Sequence, residues 1–318
     1  MEMLYFICRY FMYFFIPLLV VSVSGMFSER SGIIHMGLDS VMVWSCMWGV
    51  LCLQWLDGVV EGQMRLIIAL LFAGIMGIVL TLLLAVAAIN LNADQTIVGM
   101  AMNTFAPAFC VFFARVLQDG SEHLSIRNDF LIEKIPVLGD IPVLGEMFFT
   151  RTYITNFIGI VIFIISAIVL NKTRFGLRMC ACGENPQAAE SLGVNVQKYR
   201  YAALIIAGFI GGMGGLMYIL PVATHYSQTV GGYGYLAMSV LIFGQWRSLS
   251  LFGAAAFFAF CKTIANAYSG IPFLANLGLP SAFFKSLPFI ITLVALAFTS
   301  KHDRAPKASG QPYDKSMR

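Results

Sequence analysis

Runs of about 20 predominantly apolar residues recur along this chain, and nothing else constrains its fold as tightly. About Leu4 to Met26, Leu66 to Ile89, Tyr153 to Leu170 and Tyr201 to Leu220 each come near the length that crosses a bilayer core as an α-helix. In hydrocarbon every backbone N–H and C=O must be bonded within the protein, so a spanning run folds as a helix or joins a closed barrel. Barrel strands read as weak alternating segments, not as continuous apolar runs. Composition agrees: 59% of residues are hydrophobic and 11% charged, with a mean hydropathy of +0.81, where a soluble domain carries about 25% charged residues. The chain is therefore read as an all-α polytopic membrane protein, one transmembrane domain over residues 1–318. The first run is long and lacks a basic leader or a small-residue cleavage site, so it reads as a span.

Further spans are expected at about Val41 to Trp55, in a fourth run ending near Arg115, and at about Tyr235 to Trp246, Leu251 to Tyr268 and Ala282 to Thr299. The total is about 8–10 transmembrane helices, nine on the direct count. Two polar segments separate them. Residues 117–152 hold six acids (Asp119, Glu122, Asp129, Glu133, Asp140, Glu146) against three basic residues (Arg127, Lys134, Arg151), and repeat the pentapeptide IPVLG. Residues 171–200 hold five basic residues (Lys172, Arg174, Arg178, Lys198, Arg200) against Glu184 and Glu190, and the tail 301–318 holds five Lys/Arg and two Asp. Basic loops stay in the cytoplasm. That places 171–200 and the tail inside, an even number of crossings apart, and the acidic 117–152 segment outside, where it is either a plain solvated loop or a cap touching a delivery protein.

Two apolar stretches are interrupted, one in each half of the chain: at 28–40, with Gly32, His35, Gly37 and Asp39, and at 224–235, with His225, Gln228, Gly231, Gly232 and Gly234. Paired broken helices in two pseudo-repeated halves point to a transport path near the bilayer midplane. Gly37, Asp39, Gly231, Gly232 and Gly234 are then its candidate lining, and two plain interhelical loops are the alternative. Gly208, Gly211, Gly212 and Gly215 give overlapping GxxxG spacings that let a neighbouring helix approach. Trp246 and Arg247 read as an anchor pair at the membrane interface.

Inside the basic segment sits a miniature helix. Asn185 can cap its start, Pro186 fits the first helical position, and Gly193 supplies the stop. About two turns are unstable alone in water, so either the membrane face of the protein or a partner must hold them. No chemistry competes with these readings. The seven Cys are scattered, the four His are far apart, and no Walker A, GxSxG or HExxH set occurs, so neither a disulfide scaffold, a metal site nor a catalytic centre is expected.

The run TRFGLRMCACGENPQAAESLGVNVQKYRY and the later GGYGYLAMSVLIFGQW closely resemble permeases of bacterial ABC importers, in the superfamily that carries ribose, branched-chain amino acids and nucleosides. SERSGIIHMGLDSVM, DIPVLGEMFF and RAPKASGQPYDKS resemble the purine nucleoside (BmpA-type) branch, and the likeness covers nearly the whole chain. It implies a permease subunit in a bacterial cytoplasmic (inner) membrane, paired with a second homologous permease, often as a heterodimer. It also implies an ABC ATPase that binds ATP, and an extracytoplasmic substrate-binding lipoprotein. The chain itself would need no cofactor and no nucleic acid. By this resemblance the short helix is the coupling helix, with Gly183, Glu184, Asn185, Pro186, Ala188, Ala189, Leu192 and Gly193 as its ATPase-facing residues. The family's first motif runs closer to SGVINIGLEG; here His35 and Asp39 stand where Asn and Glu occur, and Ser40 replaces Gly. Two alternatives stay open: a sugar or branched-chain amino acid substrate within the same mechanism, and an ion-coupled secondary transporter with Asp39 in its relay.

Overall fold

The structure, a computed structural model, describes residues 2–127, 129–135, 145–267 and 304–313, together with 283, 286 and 290. Apart from those three positions the expected last span, about Ala282 to Thr299, lies outside the described residues, as do all but the ends of the two IPVLG pentapeptides. The described residues are mostly helical. The helices are α1 (Glu2–Arg30), α2 (Leu38–Trp55), α3 (Gln63–Ala85, extended by a π turn over Val86–Asn90), α4 (Gln95–Leu117) and α5 (Ile154–Lys172), then α6 (Arg174–Glu184), α7 (Pro186–Ser191), α8 (Val196–Val222), α9 (Tyr233–Phe243) and α10 (Ser248–Ala267). Six of these, α1, α3 with its π turn, α4, α5, α8 and α10, are long and apolar enough to cross a membrane. The protein is a multi-pass membrane protein.

Helix α8 is the central post, buried along most of its length against α1, α2 and α3. Its glycines make that possible. A Cβ on Gly208 would lie 2.7 Å from the Gly77 carbonyl oxygen, one on Gly212 would lie 2.4 Å from that of Ala73, and one on Gly215 would lie 2.8 Å from that of Met42. The first two face α3 and the third faces α2, so the overlapping glycine spacings seat two neighbours at once. On a third side the Ser24 hydroxyl of α1 donates to the Ala207 carbonyl at 2.6 Å. Lipid offers apolar side chains no preference for protein, and close backbone packing of this kind supplies the attraction instead.

Both expected interruptions are present. Residues 31–37 separate α1 from α2, and residues 223–232 separate α8 from α9. The second is pinned by a short ladder: β1 (Leu124–Ser125) pairs antiparallel with β4 (His225–Tyr226), Leu124 opposite Tyr226. A second ribbon pairs β2 (Ile132–Lys134) with β3 (Thr150–Thr152). Both ribbons gather at one end of the bundle. There Arg127 bonds Asp57 at 2.6 Å, Gln54 donates to the Ser125 carbonyl at 3.0 Å, and Tyr13 donates to the Arg151 carbonyl at 2.8 Å. The described parts of the acidic segment therefore close over this end. Beside it, the Arg115 guanidinium holds the Glu122 carboxyl below the usual carboxylate range.

The opposite end collects the basic segments. The Ala308 N–H donates to the Gly183 carbonyl at 2.9 Å, and the Gly310 N–H donates to the Gly32 carbonyl at 3.2 Å. Arg200, 1% exposed, places its guanidinium 5.8 Å from the Tyr313 ring, and the Tyr313 hydroxyl bonds the Glu190 carboxylate. The segment 304–313 is thus a strap across the turn between α6 and α7. The polar island is more ordered than its sequence indicates: besides α7 it contains the eleven-residue α6, whose cap Thr173 accepts from the Gly176 N–H at 3.1 Å. Trp246 differs from its expected role. It is buried, and its indole N–H bonds the Glu29 carboxylate at 2.6 Å, because α9 ends at Phe243 and the following turn carries Trp246 inward.

Candidate functional site

Asp39 begins the site. It sits in the first turn of α2, and its Oδ1 accepts the backbone N–H of Gly234 at 2.9 Å. Gly234 is the second residue of α9, so this N–H is one of the four that a helix start leaves without an internal partner. One carboxylate thus lies at the N-terminal turns of two helices, where their dipoles favour negative charge. Gly234 is required for that approach: a Cβ there would lie 2.3 Å from both the Cα and the N of Asp39. Among the described residues nothing bonds the second Asp39 oxygen.

Asn103 of α4 completes the junction. Its Oδ1 accepts the Ser40 N–H at 3.0 Å, and its Nδ2 donates to the Met36 carbonyl at 2.9 Å and to the Tyr235 hydroxyl at 2.8 Å. One amide therefore ties α4 to both broken segments. One turn further along α4, Pro107 has no N–H with which to bond the Asn103 carbonyl. Below it, the Gln95 Oε1 accepts the Ile34 N–H at 2.8 Å and so satisfies the non-helical stretch.

Depth follows from the contacts with α1. The Tyr233 hydroxyl donates to the Phe14 carbonyl, and the Ser22 hydroxyl donates to the Ala237 carbonyl at 3.1 Å. The start of α9 is therefore level with the middle of α1. The junction is open on one side: Tyr235 is 45% exposed, and Asp39 and Asn103 are partly exposed.

Of the five residues expected to line a path, Gly37, Asp39 and Gly234 come together here. The other two, Gly231 and Gly232, adopt the left-handed φ of +61° and +73° that turns the chain into α9, and a Cβ on Gly231 would meet no neighbour within 4 Å. Asn103 and Tyr235 were not among the expected residues. Tyr235 lay in view inside GGYGYLAM, but Asn103 sits in an ordinary apolar run, and its partners are 63 and 132 residues away.

The second candidate surface is α7. The Asn185 side chain accepts the Ala188 N–H at 3.0 Å, Pro186 occupies the first turn, and Gly193 has a φ of +80°. Glu184, Asn185, Ala188, Leu192 and Gly193 are exposed, Leu192 at 85%, and Pro186 is half-buried. Gly183 and Ala189 face inward. A Cβ on Gly183 would lie 2.3 Å from the Arg30 carbonyl oxygen, and Ala189 packs with Cys182, Val196 and Tyr313. The two inward residues seat the helix on its own protein, and the others present it outward.

A model of the permease component of branched-chain amino acid transport systems matches residues 7–296. The guanosine ABC transporter permease protein NupQ of Bacillus subtilis is 37% identical over 304 residues, 95% of this chain and 94% of that protein. The nucleoside ABC transporter permease protein NupC of Lactococcus lactis is 36% identical over 301 residues, 94% of each chain. A putative glucose ABC transporter permease of Haloferax volcanii is 29% identical over 247 residues, 76% of this chain and 71% of that one. No solved structure matches the chain.

Proposed function

The chain belongs to the permease-component family of branched-chain amino acid transport systems, and on that premise we propose that it is the membrane-spanning subunit of an ATP-driven nucleoside importer. The observation that carries the substrate class is the likeness, over nearly the whole chain, to two permeases named for guanosine and nucleosides. In this reading the chain has no catalytic site of its own and needs no cofactor. ATP is hydrolysed by a separate ABC ATPase, a second homologous permease completes the pore, and a binding lipoprotein delivers substrate to the outer end. The location is the bacterial cytoplasmic membrane, with the strap and α7 on the cytoplasmic side.

The two candidate surfaces take complementary roles. Gly37, Asp39 and Gly234, with Asn103 and Tyr235, border the translocation path, because they gather polar groups halfway across the bundle and open to one side. Charged and polar groups at that depth are costly and are kept where they serve function. Residues 184–192 dock on the ATPase: Leu192 is a large apolar side chain left 85% exposed on a capped, rigid turn. Its burial in a partner groove stabilises the contact by about 2 kcal/mol, or about thirtyfold in affinity.

The test is reconstitution with the ATPase, the second permease and the binding protein in proteoliposomes. Labelled guanosine should enter only with ATP, and Leu192→Ala should weaken ATPase co-purification without preventing membrane insertion. Uptake that continues without the ATPase would favour an ion-coupled carrier, and uptake of ribose or leucine in place of nucleosides would reassign the substrate.

A further inference from the structure

Between the junction and the outer end, the facing sides of α2 and α4 carry a continuous run of rings. On α4, Phe105, Phe109 and Phe113 recur every four residues, the spacing of a single helix face. On α2, Trp44 and Trp48 do the same. The rings touch in series. Centroids lie 5.6 Å apart for Phe105 and Phe109, 4.5 Å for Phe109 and Phe113, 4.7 Å for Trp44 and Phe109, and 6.1 Å for Trp48 and Phe113. From Phe105 to Phe113 the run covers about 12 Å at 1.5 Å per residue. Asn103 lies two residues before it and Arg115 two residues after it, so it joins the junction to the outer end.

The two indoles are incomplete. Trp44 is 8% exposed, and neither its ring N–H nor that of Trp48 has an acceptor among the described residues. An indole N–H can only donate, and buried tryptophans usually find a partner for it. Both nitrogens are buried, so an unanswered donor is costly. Phe105, stacked on Trp44 at 25°, is 48% exposed, so the run is open to an incoming molecule at its Phe105 end.

We propose that this run is the nucleobase track of the importer, an inference that rests on the nucleoside reading above. The planar base stacks on successive rings as it descends. Once the rings part around it, its ring nitrogens and carbonyl oxygens accept the Trp44 and Trp48 indole protons, which are buried while the rings are packed together. At the lower end the ribose hydroxyls donate to the free oxygen of Asp39 and exchange hydrogen bonds with Tyr235. Stacking on an aromatic ring contributes about 1–3 kcal/mol per base whatever the base, because every base has a π face. A series of similar, moderate sites lets the substrate enter and leave without a trap. Free ribose has no π face and gains nothing from the track.

The experiment uses the complete reconstituted transporter, with labelled guanosine as the carried substrate and uridine and ribose as competitors. Replacing both indoles, Trp44→Leu with Trp48→Leu, should lower guanosine uptake per assembled complex by about tenfold or more. Trp44→Phe keeps a ring and removes the N–H, and should fall between the pair and wild type. Uridine should compete and ribose should not. Photolabelling of the unmodified complex with 8-azidoguanosine needs no variant; adducts are expected on residues 44–48 or 105–113. Adducts confined elsewhere, or full uptake per complex in the double variant, overturn the track while leaving the nucleoside importer standing. Loss of second-permease binding with unchanged uptake per remaining complex assigns the rings to subunit packing and also overturns it. If wild type carries no nucleoside at all, the function and the track fall together.

Discussion

The junction at the middle of the bundle and the helix α7 at one end are both short, polar and essential to the proposed function, yet they are held in opposite ways. The α7 turn is stabilised locally: Asn185 bonds Ala188 three residues on, and Gly193 ends the helix by its own left-handed backbone. The junction is stabilised from a distance. Asp39 meets Gly234 across 195 residues, and Asn103 meets Tyr235 across 132. Damage at the first should stay local, whereas damage at the second should spread to α2, α4 and α9 together.

Gly234→Ala should test this contrast with the largest effect. Its Cβ would press on the Asp39 backbone, which no rotamer change relieves, so destabilisation of about 3 kcal/mol or more is expected, read as lost thermal stability in detergent. A folded, active Gly234→Ala protein would mean that the two broken segments do not meet as described. Asn103→Ala should come next. It strands the Ser40 N–H, the Met36 carbonyl and the Tyr235 hydroxyl, and should cost about 2–3 kcal/mol in the same assay.

Asn185→Ala removes a single cap and should cost only about 1 kcal/mol, with α7 fraying while the bundle stays intact. Hydrogen exchange confined to residues 185–192 would show that restriction, and a global loss of protection would erase the contrast. Smallest of all, Leu192→Ala should change thermal stability by less than about 0.5 kcal/mol, since the side chain is 85% exposed. A large loss would show that Leu192 belongs to the subunit's own packing.

The same contrast explains what could be read from the residues alone. The cap, the Pro and the stop of α7 are local signals, and each appears where its type predicts. The apolar runs and both interruptions are likewise local, as are the charge differences that separate the two ends. Asn103 was not legible, because its role depends on chains of contact that only the folded bundle creates. Gly183 and Ala189 show the limit from the other side. Their place in a recognisable motif marked the helix, but only packing against Arg30, Val196 and Tyr313 showed that they face inward. Trp246 followed the usual preference of tryptophan for the membrane interface until Glu29 supplied a buried acceptor for it.

The strap of residues 304–313 also sets a timetable. It closes on Gly32 and Gly183, which leave the ribosome long before it does. Through Tyr313 it reaches Glu190, beside the turn proposed to meet the ATPase. An ATPase that arrives during translation therefore meets an α7 still missing one of its supports. Chains cut before residue 304 should insert, yet they should mature slowly and be the first that the membrane's proteases remove.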